Sequence, residues 1–175
     1  MLARPPSQWR VPECPSRLFD QLVLIVVPYY GFDGRPNNGA LVVHRRLAEE
    51  ITGLFAFMFE IRFPIEQIVP ASQFNFDDEV MMQANNTSAF NYRVIAGTIR
   101  LSVHASGCAI DINPRLNPMI AGGVTFPPNA IYVPRAPGVF DATHPVVCKF
   151  RELGWTWGGD WDEPIDYHHF EKRLN

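Results

Sequence analysis

Apolar positions along the chain change period several times, and each change marks an element. Leu22 to Val27 is continuous, rich in β-branched side chains and stopped by Pro28, which predicts a buried strand. Tyr29 to Gly39, punctuated by Gly31, Gly34, Pro36 and Gly39, reads as a loop. Leu47, Ile51, Leu54, Phe55 and Met58 then recur at helical spacing, with Arg45, Arg46, Glu49 and Glu50 on the other face, predicting an amphipathic helix from about Val42 to Glu60. Pro64 ends it. A short strand over Ile65–Val69 and a short helix over Phe76–Ala84 follow, the latter with Asp77, Asp78 and Glu79 where carboxylates favour a helix start. Phe90–Ile95 and Ala109–Ile112 are strand candidates. Asn113 to Phe140 is so rich in Pro and Gly that it reads as a long insertion-like loop, the kind that borders a binding cleft. Pro145 and Gly154 bracket a helix over Val146–Leu153. An aromatic loop, Trp155–Trp161, and a terminal strand around Tyr167–Glu171 close the chain, and no internal repeat is visible.

Composition narrows the class. The chain has 175 residues, enough for one domain, expected over residues 18–175 behind an irregular arm, 1–17, that carries Pro5, Pro6, Pro12 and Pro15. Net charge is −3 and no basic run occurs, so a nucleic-acid partner is not expected. No apolar stretch approaches the roughly 20 residues of a membrane span, and the first twenty residues show no apolar core of a cleavable leader. Cys14, Cys108 and Cys148 allow one bridge at most. A monomer is expected.

The chemistry sits in the histidines. His44, early in the predicted helix, and His144, ahead of Pro145, read as solvated or terminal residues. His104 and Asp111 lie seven apart across Gly107, which lets the chain turn so that imidazole and carboxylate converge, a pairing suited to zinc. Asp166 precedes His169 by three, a spacing that can set a base beside a metal ligand. Either pattern alone is common; together they offer two imidazoles and a carboxylate, leaving a fourth zinc position for water and a separate acid for proton transfer.

These strings resemble a known family. Ser102-x-His104-x-x-Gly107-x-Ala109-x-Asp111, the downstream run Gly154-Trp-Thr-Trp-Gly-Gly-Asp-Trp161, and Asp166-x-x-His169-Phe170 are similar to the zinc signature of VanY-type D-alanyl-D-alanine carboxypeptidases and phage L-alanyl-D-glutamate endopeptidases. Asn85 to Arg93 and the Asn113-Pro114 and Asn117-Pro118 pairs match one branch of that family, so the resemblance runs from about Gly39 to Glu171. It implies an α+β single domain of the hedgehog/D-Ala-D-Ala peptidase type, with an antiparallel sheet carrying the zinc site and helices packed on one face. It further implies Zn2+ held by His104, Asp111 and His169, Asp166 as general base, and Arg93 on the oxyanion or a substrate carboxylate. Ser102 is assigned to substrate binding or loop support, and Trp157 to substrate binding or core. His168 stays an alternative to His169, although only His169 fits both the Asp-x-x-His spacing and the following Phe170.

The expected activity is therefore hydrolysis of an amide bond in a peptidoglycan stem peptide, either D-Ala-D-Ala or L-Ala-D-Glu, by a wall-degrading or wall-remodelling enzyme such as an endolysin. Without a visible leader, the wall is reached by export, holin release or effector delivery. The alternatives are a zinc-containing binding module without turnover, as in hedgehog-type relatives, and a cytosolic protein with no wall role. A nucleophilic Cys108 paired with His104 would be another enzyme class, against which stands a buried, inert thiol.

Overall fold

The apolar run that starts at Leu22 pairs antiparallel with residues 36–44, so a long hairpin, rather than a strand and a loop, opens the fold. A computed structural model describes residues 3–174. Its elements are α1 (Ser16–Phe19), β1 (Leu22–Tyr30), β2 (Pro36–His44), α2 (Ala48–Glu60), β3 (Gln67–Ile68), α3 (Asp78–Gln83), β4 (Asn86–Thr87), β5 (Ala109–Asp111), β6 (Met119–Ala121), β7 (Val124–Phe126), α4 (Pro145–Glu152), β8 (Thr156–Trp157), β9 (Ile165–Asp166) and β10 (His169–Glu171).

Tyr29–Gly39 is thus mostly strand around a tight turn, in which Asp33 Oδ1 accepts from the Arg35 amide at 3.0 Å. The predicted helix starts six residues late for the same reason. Val42, Val43 and His44 pair with Leu24, Val23 and Leu22, and Leu41, Val42 and Val43 are all buried because β2 is covered on both faces. From Ala48 the helical period holds, and Ile51, Leu54, Phe55 and Met58 pack on the hairpin within one apolar cluster that also takes in Val146, Val147, Phe150, Trp157 and Phe170. The other face of the hairpin meets the Pro-rich arm: Cys14, Leu22, Val42 and Phe90 form a second, smaller cluster with Trp9, Leu18 and Phe19 against it.

The α+β class stands, and the sheet that carries the candidate site, β5-β10-β8, is antiparallel as expected. The strands form four small sheets, β1-β2, β5-β10-β8, β3-β4 and β7-β6-β9, of which β3-β4 is parallel. Phe90–Ile95 forms no strand; its backbone groups bond singly to Val42, His104, Ser102 and Arg100, with one isolated antiparallel bridge between Val94 and Leu101. The 113–140 segment is not structureless either. Asn113 and Asn117 satisfy backbone groups of Pro64, Ile112, Gly138 and Phe140, and β6–β7 is a hairpin closed by Gly122 and Gly123, both at positive φ as a two-residue turn of this hand needs. α4 begins as expected, with Pro145 in its first turn and His144 Nδ1 accepting from the Val146 amide at 3.2 Å.

Candidate metal centre and active site

Three donors meet in the middle of this frame, each placed by a different local device. His104 rides a single 3-10 turn over Val103–Ser106, where Ser102 Oγ accepts from the His104 amide at 3.3 Å. Gly107 closes the turn at φ +67, and a Cβ there would stand 2.7 Å from the His44 backbone nitrogen, so only glycine fits between the turn and β2. The His104 ring is held by Nδ1, 2.6 Å from the Ala89 carbonyl, which can only accept; Nε2 is left free to face Asp111. Asp111 on β5 and His169 on β10 are direct cross-strand partners, so both side chains leave the same face of the sheet.

The three edges of the triangle are 3.1 Å (His104 Nε2 to Asp111 Oδ2), 3.0 Å (His169 Nδ1 to Asp111 Oδ1) and 3.2 Å (His104 Nε2 to His169 Nδ1). Ligands about 2.1 Å from a common ion stand about 3.0 Å apart at octahedral and about 3.4 Å apart at tetrahedral angles. The first two contacts use different oxygens of Asp111, and one donor atom from each residue brings all three within 4.8 Å of one another, a spacing that could hold a metal ion. The charges of the cluster are arranged for one. Burial would raise the Asp111 carboxyl, yet the His104 and His168 charges and hydrogen bonds from His104 and His169 hold it well below the usual carboxylate range. Burial would lower His169, but its hydrogen bonds to Asp111 and Glu171 and the nearby carboxylates outweigh this and it is pushed up to about 10.

The sequence reading missed the outer partner of that ligand. Glu171 Oε2 lies 3.2 Å from His169 Nε2 while its Oε1 accepts from Arg173 Nε at 3.1 Å, a carboxylate–histidine arrangement that turns Nδ1 toward the donors. The signal available was Glu171 two residues after His169, on the same face of a strand. Replacing Glu171 by Gln should weaken metal binding about 10- to 100-fold with little change in the fold, read by competition with a chelating dye.

Asp166 stands beside the triangle and not in it. Its buried Oδ1 has no hydrogen-bond partner among the described residues. His168 Nε2 stands 3.0 Å from that oxygen as an ion-pair contact, and the other ring nitrogen of His168 lies 2.8 Å from the Asn117 carbonyl. His168 thus faces the acid, whereas His169 faces the donors. Burial pushes the Asp166 carboxyl above the usual range, against the opposing charges of His168 and His169. The backbone around it leaves no slack: a Cβ on Gly158 would lie 2.9 Å from Asp166 Cβ. Gly158→Ala should shift β9 and lower kcat tenfold or more while metal content is kept, since small misplacements of a reacting group cost this much; titration of metal and turnover on one sample checks it.

Arg93 lines the same cleft, of about 1030 Å³, together with Ser102, His104, Asp166 and His169. Its Nη2 is 2.9 Å from Asp78 Oδ2, and Asn91 Nδ2 steadies the other Asp78 oxygen at 3.2 Å, so α3 supplies an anchor that the sequence did not disclose. Ser102 borders the cleft, and its Oγ is used by the His104 turn. Trp157 is a correction. It is 1% exposed, packs on Phe170 and Tyr167, donates Nε1 to the Tyr167 carbonyl and lies in the core, where no substrate reaches. Trp161 is the indole in the cleft, 5.3 Å from the His169 ring. His44 accepts from the Arg46 amide, His144 caps α4, and all three cysteines are free thiols. Burial raises the Cys108 thiol, which leaves it a poor nucleophile.

An α+β chain that gathers two histidines and an aspartate within 4.8 Å of one another, with a further buried acid at their edge, has a site that could hold a metal ion. Residues 96–172, somewhat under half of the chain, match the family model described as D-alanyl-D-alanine carboxypeptidase, so this segment is similar to that family. The matched segment holds Ser102, His104, Asp111, Asp166 and His169 and leaves Arg93 outside. No curated protein and no solved structure matches the chain.

Proposed function

We propose that the protein is a zinc-dependent peptidase that hydrolyses an amide bond in a peptidoglycan stem peptide. The observation that carries this reading is a buried carboxyl oxygen, Asp166 Oδ1, left without a hydrogen bond beside three converged metal donors. Buried polar atoms are almost always satisfied, and an exception at a cleft is what a proton acceptor awaiting its substrate looks like. His104, Asp111 and His169 would hold the cation, three protein donors being one short of a closed tetrahedral set. When bound, zinc supplies Lewis acidity, which polarises the scissile carbonyl and lowers the pKa of water toward neutrality.

The protein's own groups do the rest. Asp166 takes the proton of the attacking water and returns it to the leaving amine. His168, fixed by Asn117, sets the orientation of that carboxylate. Arg93, anchored on Asp78, offsets negative charge on the carbonyl oxygen. A binding module without turnover would have no use for a second buried acid beside the donors, which favours the enzyme over that alternative. The place of action is the cell wall, reached by export, holin release or effector delivery.

The test is digestion of intact muropeptides with mass spectrometry of the fragments, on protein whose metal has been measured. One zinc per chain and amine release that stops with a chelator and returns with zinc are expected. Metal-loaded protein that releases no amine from any muropeptide overturns the reading.

A further inference from the structure

The β7-β6-β9 sheet puts three cleft-lining residues in one row. Met119 is the direct cross-strand partner of Phe126 on one side and of Asp166 on the other, so the three side chains leave the same face. The alternation agrees: Met119, Ala121, Phe126 and Asp166 line the cleft, whereas Ile120, Thr125 and Ile165, on the opposite face, do not. Met119 and Phe126 are only half-buried, as a surface that receives a ligand must be. Residues 119–126 and 161–167 contain no Lys, Arg or His; their charges are Asp162, Glu163 and Asp166, and Glu163 is spent on the Gly122 amide at 2.8 Å.

A base that returns its proton to the leaving amine must stand next to the residue bearing that amine. We propose that Met119 and Phe126 form the subsite for the side chain of the residue on the amine side of the scissile bond, and that they select an uncharged, apolar side chain there. An acidic side chain would lose its water against two apolar groups, with Asp166 nearby and no cation in the row to replace it. Within the proposed function, on which this inference rests, an alanine side chain on the amine side is accepted and a glutamate side chain refused.

The experiment uses metal-loaded protein and a series of blocked peptides that differ only at the amine-side residue, Ala, Leu, Glu or Lys. kcat/KM is measured for the wild type and for Phe126→Ser, Met119→Ser and Phe126→Leu. The Ala and Leu peptides should exceed the Glu peptide at least tenfold. Either Ser variant should lower kcat/KM for Leu about tenfold, chiefly through KM, and leave the Glu value within twofold; Phe126→Leu should restore the preference. Metal content and the melting temperature of each variant report folding. The same peptides are titrated calorimetrically into the Asp166→Ala protein, so that ranking is read without turnover. Hydrolysis without the ranking overturns the subsite and keeps the peptidase; ranked binding without hydrolysis keeps the subsite and overturns the peptidase; neither overturns both.

Discussion

Replacing Asp166 by alanine should lower kcat on stem peptides by about 10²- to 10⁴-fold while bound metal stays near one ion per chain. The two readouts separate because Asp166 is not among the three clustered donors: its close neighbour is His168, not His104 or His169. Folding should not suffer. A carboxyl whose pKa is raised by burial is held in the protein at a cost, so its removal is neutral or mildly stabilising. Undiminished turnover would assign the base elsewhere, and loss of metal would make Asp166 a ligand. Asp166→Asn is a stricter partner experiment, since it preserves volume and removes the capacity to accept a proton.

Metal affinity should fall about tenfold for each pH unit of acidification between pH 9 and 6, as one proton competes for one site. His169 sets this slope. In the metal-free protein it is pushed up to about 10, so at neutral pH its Nδ1 lone pair is taken by a proton that the cation must displace, whereas Asp111 is already ionised. Calorimetry in buffers of different ionisation enthalpy should count the proton released. Stability of the metal-free protein follows the same linkage with a fixed sign. A raised pKa means that the folded protein binds the proton more tightly than the unfolded chain does. The stabilisation from His169 is therefore complete below about pH 6.5 and is lost as pH rises through about 10. A flat affinity profile would show that His169 is not displaced and hence not a donor.

Some of this was readable from the residues alone and some was not. The bodies of α2 and α4 follow from helical spacing and a Pro–Gly bracket, because burial on one face leaves a periodic trace. The start of α2 did not, since Val42 and Val43 are apolar on both faces of a covered strand and continue the helical stripe by accident. Gly122-Gly123 between Met119-Ile-Ala and Val-Thr-Phe is a two-residue hairpin signal that was hidden among the prolines of the 113–140 segment. At the site, the signature strings name residues that do meet in space, but the anchors do not announce themselves: Asp78 reaches Arg93 from 15 residues upstream, and Ala89 holds His104 through a main-chain carbonyl that no side-chain pattern can mark.

The donors also differ in when they arrive. His104 and Asp111 are near neighbours in the chain, but His169 comes from 58 residues beyond Asp111, on a strand whose middle residue, Phe170, is fully buried among Phe140, Phe150 and Trp157. A cation can thus be gripped by all three only after β10 has docked and the intervening loop has closed. On the proposed function, three-donor binding therefore requires the C-terminal strand in place. On the same reading, a nascent or truncated chain lacking that strand would hold two of the three donors and should show no hydrolysis.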